Sequence, residues 1–141
     1  MRARIDAHRA HRPTTWQTIE APRHVAHALQ QARVNPRVVV IDCLTLLVSN
    51  ILLVDKGEAD AELIREMDEL VAWQRSQALE MIVVSNEVGQ GIVPDHALGR
   101  AYRDLLGTTN QHIARQADQV FLMVAGLPIE VKSRAVHLEN S

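Results

Sequence analysis

A single cysteine, Cys43, excludes an internal disulfide and any multi-cysteine zinc or iron–sulfur centre, and it suits a reducing, cytoplasmic setting. Aromatic residues are almost as scarce, at 3% of the chain, and none is interleaved with basic side chains as a stacking platform for nucleic acid requires. An excess of either charge is also missing. Fifteen Lys and Arg against seventeen Asp and Glu leave a formal charge of -2, so any phosphate binding has to be local. No secretory signal is evident. The longest apolar run, Leu44 to Val54, is interrupted by Thr45, Ser49 and Asn50 and falls short of the ~20 residues of a membrane span.

What is present is a chain of 141 residues that is 47% apolar, rich in Val, Ile, Leu and Ala, without repeats or low-complexity tracts. That suffices for one compact core. The spacing of Val25, Ala28, Leu29 and Ala32 predicts an amphipathic helix ended by Asn35-Pro36. Arg37 to Asp42 reads as a strand buried on both faces, and the following LTLLVSNILLV as a helix covering it. Glu58 to Gln77, with Leu63, Ile64, Met67, Leu70 and Val71, is expected to form a surface helix. Met81 to Ser85 predicts a second buried strand, and His96 to Ala117 a long helix carrying Leu98, Ala101, Tyr102, Leu105 and Ile113. Gln119 to Ala125 is a third strand, which Ile129 to Lys132 can pair across Gly126-Leu127-Pro128. The expectation is a single nucleotide-binding α/β domain over residues 1–132, built on a mostly parallel, doubly wound sheet, with a tail from 133 to 141.

In such a sheet, ligands sit beyond the carboxyl ends of the strands. That edge gathers Asp42 and the loop NEVGQGIVPD, within reach of the N-terminal segment MRARIDAHRAHRPTTWQTIE. Asp42 closes a hydrophobic strand, where an acid can hold a nucleotide's magnesium ion; it fits equally an acid that caps the next helix. His8 and His11 stand among Arg4, Arg9 and Arg12. A neutral imidazole can attack phosphorus while guanidiniums steady the charge of the transition state, although a solvated polar segment has the same composition. Pairing of His8 with His11, or of His24 with His27, as metal ligands is a third option that no Cys partner or zinc motif supports. Glu20 offers a carboxylate to a guanine edge or a ribose hydroxyl. The glycines of SNEVGQGIVP permit close approach of backbone to ligand and are explained as well by an ordinary turn. Cys43 and Trp73 read as packing residues.

Four segments then match one family together: Arg4-Ile5 through His8, Arg12-Pro13, Trp16, Thr18 and Glu20; Val40-Ile41-Asp42-Cys43-Leu44-Thr45 with Ser49-Asn50; Ser85-Asn86-Glu87-Val88-Gly89 through Gly91-Ile92-Val93-Pro94; and Tyr102-Arg103-Asp104 through Asn110-Gln111. In these the chain resembles the bifunctional adenosylcobinamide kinases/adenosylcobinamide-phosphate guanylyltransferases of cobalamin biosynthesis. The resemblance implies a P-loop-NTPase-like three-layer α/β sheet. It implies phosphorylation of adenosylcobinamide by ATP or GTP, then transfer of GMP from GTP to adenosylcobinamide phosphate through a covalent GMP-histidine, giving adenosylcobinamide-GDP. His8 would be that histidine; Arg9, Ala10, His11, Arg12, Glu20 and Asp42 would bind the nucleotide, with Mg²⁺ on Asp42. A small homo-oligomer is expected, with no nucleic-acid partner.

The family also opens with a strand and a G-x-x-x-x-G-K-S/T phosphate loop, followed by a second strand, and these are not in this sequence. A late start codon or a fragment accounts for the difference; if the chain instead begins at Met1, the expectation is a family fold without its N-terminal βαβ portion, and weak or absent kinase and transferase activity. The alternative function is an inactive nucleotide- or corrinoid-binding remnant.

Overall fold

The computed structural model describes residues 12–54 and 57–136. After an irregular stretch, α1 covers Val25–Gln31 and leads to β1, Val38–Asp42. Two helices follow, α2 over Leu44–Val54 and α3 over Ala59–Gln77, and they return the chain to β2, Glu80–Val84. Such a crossover is what a parallel pair needs. β1 and β2 pair in parallel, with Val39 beside Met81, Ile41 beside Val83 and Asp42 beside Val84. A last long helix, α4, runs over Ala97–Gln116.

The helices supply most of the core. Leu44, Val48 and Ile51 of α2, Leu63, Met67 and Leu70 of α3, and Leu106 of α4 are fully buried in one cluster. Each contributes on the order of 1.5–3 kcal/mol by leaving water. Trp73 packs there as expected. The expected surface helix is in fact central: α3 buries eight residues along nineteen, because α1, α2 and α4 all pack on it. Ile64, expected on its apolar face, is only half-buried, whereas Glu62 and Glu66 are buried.

The sheet is half-covered rather than enclosed. Alternation sends Val39, Ile41, Met81 and Val83 into the helical core and leaves Val38, Val40, Ile82 and Val84 exposed on the opposite face. A β-branched run alone does not reveal that a strand is open on one side. The third strand also departs from the parallel sheet. Among the described residues β3, Phe121–Val124, pairs with β4, Leu127–Glu130, alone, as a separate antiparallel sheet. The turn is Ala125-Gly126, with φ of 51° and 80°, the left-handed pair that a two-residue hairpin loop demands. Pairing across the Gly126 region is as expected, but Leu127 and Pro128 lie within the strand.

Candidate functional site

Parallel pairing puts the carboxyl ends of β1 and β2 on one edge, and the polar residues gather there. Asp42 ends β1 with an exposed side chain. Among the described residues its carboxylate has no hydrogen-bond or ion partner, and it does not cap α2. The α2 start is closed by the main chain instead: the Cys43 carbonyl accepts from Leu46 N–H at 3.2 Å and Leu47 N–H at 3.5 Å. The Asp42–Cys43 peptide is cis. Cys43 is half-buried with its sulfur against the Thr45 hydroxyl.

Behind this edge α2 and α4 are joined through the Thr45 carbonyl, which accepts from Ser49 at 3.0 Å and from the Tyr102 hydroxyl at 3.4 Å. Burial pushes the Tyr102 phenol above its ordinary value, against a smaller opposing effect of the Ser49 hydrogen bond. The phenol is a neutral support.

The loop that leaves β2 is held by α4. The Ser85 hydroxyl donates to Asn110 Oδ1 at 2.6 Å, and Asn110 Nδ2 donates to the Asn86 carbonyl at 3.0 Å. Arg103 reaches the Gly89 carbonyl, and Arg100 donates to the carbonyls of Pro94 at 3.1 Å and Asp95 at 2.7 Å. Within the loop, Gly89 N–H donates to Glu87 at 2.7 Å and Gly91 N–H to the Val88 carbonyl at 3.2 Å. Both glycine amides are thus engaged internally, which supports the turn reading over a ready anion cradle. A Cβ on Gly89 would lie 2.7 Å from the Glu87 carboxylate. The loop ends at His96, whose Nδ1 accepts from Gly99 N–H at 2.9 Å and caps α4.

The predicted N-terminal half of the site is only partly described. His8, Arg9, Ala10 and His11 lie outside the described residues. Arg12 donates to the Thr18 hydroxyl at 2.7 Å, and Glu20 is exposed. Asn50 of α2 donates to the Pro22 carbonyl at 3.0 Å, which fastens the end of this segment to the helix that begins beside Asp42. Arg100, Arg103 and Asn110 were absent from the predicted site residues. Their spacing of three and seven along one helix is the available signal, and only a known loop position gives it meaning.

A second polar cluster lies at the start of α1. His24, Glu62 and Glu66 have possible ligand atoms within 4.8 Å of one another. His27 is not among them, so the His24/His27 metal option gains no third ligand from this cluster. Both acids are already occupied: Glu62 by the Arg23 guanidinium, and Glu66 by the backbone amides of His24 and Val25. A cation there would face a guanidinium and a helix amino end, so the cluster is a clamp on α1.

Taken together, an α/β fold presents an unengaged strand-end acid beside a braced loop, the arrangement of a ligand-binding α/β protein. Residues 1–131 match the family model described as cobinamide kinase/cobinamide phosphate guanyltransferase, and the chain belongs to that family of enzymes. The bifunctional adenosylcobalamin biosynthesis proteins CobU of Escherichia coli K12 and of Salmonella typhimurium LT2 are 35% and 36% identical to it over 143 residues, covering 94% of this chain and 78% of each relative. The corresponding CobP of Pseudomonas aeruginosa PAO1 is 39% identical over 132 residues, covering 94% of this chain and 75% of its own length. No helix among the described residues is long and apolar enough to cross a membrane.

Proposed function

We propose that the chain phosphorylates adenosylcobinamide with ATP or GTP and then moves GMP from GTP onto adenosylcobinamide phosphate through His8. In the second reaction the His8 imidazole attacks the α-phosphorus. A P–N bond forms as the bond to the β-phosphate oxygen breaks, and pyrophosphate leaves. A phosphate oxygen of adenosylcobinamide phosphate then attacks the same phosphorus, the P–N bond breaks, and adenosylcobinamide-GDP departs from regenerated imidazole. In this reading Arg9, Ala10, His11 and Arg12 line the nucleotide, with the guanidiniums meeting charge that develops on the phosphoryl oxygens. Glu20 accepts from the guanine edge or a ribose hydroxyl, and the sheet is of the P-loop type.

Asp42 carries the proposal. Its exposed carboxylate, without a partner among the described residues, sits at the carboxyl end of a parallel strand in a chain of this family. The donor chemistry fits Mg²⁺, a hard cation that binds through one or two carboxylates plus substrate phosphates. When bound, the ion neutralises phosphate charge; Asp42 fixes where that occurs.

The test is incubation with α-labelled GTP and Mg²⁺. Acid-labile label approaching one per chain, absent in His8→Ala, supports transfer. GTP retention without label points to the inactive binding reading, and neither retention nor label rejects both.

A further inference from the structure

We propose that the Asn86 carboxamide contacts the phosphate tail of the nucleotide bound at Asp42, and that Asn110 is its positioning residue. The inference rests on the nucleotide-binding reading above.

Asp42 and Val84 are register partners, so their side chains share the open face of the sheet. The burial of β2 alternates along Glu80–Val84, exposed positions separated by half-buried ones, and the alternation continues past the last pairing: Ser85 is half-buried and Asn86 exposed. Asn86 therefore lies one pleat beyond Val84 on the face of Asp42. Adjacent strands are ~4.8 Å apart and two residues advance ~6.6 Å, so one triphosphate can span both groups.

Asn110 fixes this placement from behind. Its Oδ1 holds the Ser85 hydroxyl and its Nδ2 holds the Asn86 carbonyl, so both halves of one carboxamide are used on consecutive residues where the chain leaves the sheet. This locks the main chain at Asn86 and leaves the Asn86 side chain uncommitted. Among the described residues its carboxamide has no hydrogen-bond partner, although the Asn86 carbonyl does. Two N–H donors thus stand within the span of a triphosphate from an unpaired carboxylate. The pair complements a phosphate–magnesium unit, with donors for phosphate oxygens and an anion for the cation. An acid at position 86 would repel the same phosphates.

Titration calorimetry of the full chain with Mg-GTP and with GMP tests the proposal. Asn86→Ala is expected to weaken Mg-GTP on the order of tenfold, the effect of one hydrogen bond to a charged group, and GMP far less, with the melting temperature unchanged. Asn110→Ala should weaken Mg-GTP comparably and also lower the melting temperature. In the Asn86→Ala background the same Asn110 change should add little to the loss of binding, because Asn110 acts through Asn86. A merely structural Asn110 would give additive losses and overturn its positioning role. Where Asn110→Ala fails to fold, Asn110→Asp keeps the acceptor for Ser85 and removes the donor to Asn86, and the same cycle applies. An unaltered chain that does not bind Mg-GTP overturns the functional reading and this inference together. An unaltered chain that binds, with Asn86→Ala binding equally well, overturns the inference alone.

Discussion

The Glu66 carboxylate of α3 accepts the Val25 backbone amide of α1 at 3.1 Å, and it takes the His24 amide as well. At 2% exposure this acid supplies, from forty-one residues away, the cap that α1 does not draw from its own His24 side chain. Glu66→Ala leaves two helix amides without that acceptor in a nearly dry setting. A loss of about 2–3 kcal/mol is expected, read as a lower urea midpoint at unchanged slope. Glu66→Gln keeps one acceptor oxygen and should recover part of it. A change within experimental error for Glu66→Ala would show that α1 is held by Ala26 and Leu29 alone.

At the other end of the fold, Lys132 stops α4. Its ammonium donates to the carbonyls of Ala114 at 2.9 Å and Arg115 at 3.1 Å, and to that of Ala117, all in or just past the last turn. Cationic donors favour this position because the final carbonyls lack helix partners and carry the negative end of the dipole. Lys132→Met retains most of the stem and removes the charge. It is expected to cost about 1–2 kcal/mol and to raise amide exchange selectively in the last turn of α4. Uniform exchange along α4 would contradict the local role.

Glu130 is held well below the ordinary carboxylate range. Hydrogen bonds from the Ser133 hydroxyl and backbone amide, then from the amides of Val120 and Lys132, hold its carboxyl at about 2, against an ordinary 4.5. A depressed carboxyl contributes stability above its unfolded value and loses it as pH falls from about 4.5 toward about 2. Carbon-detected NMR titration should place the Glu130 midpoint near the lower value. Ser133→Ala should move it upward, since the first-named cause is the Ser133 hydroxyl. A midpoint unmoved by Ser133→Ala would reject that cause.

Much of this was legible in the sequence, for identifiable reasons. The apolar patterns located the four α-helices among the described residues to within a few residues, and the two β-branched runs located β1 and β2. The place of Asp42 at the end of β1 was legible because a strand end is a local feature. What depended on tertiary partners was not. Nothing in the spacing of an expected surface helix marks Glu62 and Glu66 as buried, and only their meeting with Arg23 and α1 explains it. Leu98 sits at core spacing yet is exposed, whereas Thr109 is buried with its hydroxyl returned to the Leu105 carbonyl at 2.7 Å. The bracing of the β2 loop by Arg100, Arg103 and Asn110 needs the relative placement of a helix and a loop, which spacing within either one does not encode.

Asp42 allows the proposed function and the stability of the fold to be tested apart. Its side chain is exposed and has no partner among the described residues, so Asp42→Asn removes no fold contact seen there, and the melting free energy should change by less than ~0.5 kcal/mol. If the carboxylate places magnesium on the nucleotide, the same change removes the charge that holds it. The magnesium concentration for half-maximal labelling from α-labelled GTP should then rise by at least roughly tenfold, a hard-cation ligand having been replaced by a neutral amide. Raising magnesium should restore part of the signal, which distinguishes lost metal affinity from loss of the transfer step proposed for His8. Labelling with an unchanged magnesium requirement would remove Asp42 from the site, and a substantial fall in stability would show that its carboxylate serves the fold instead.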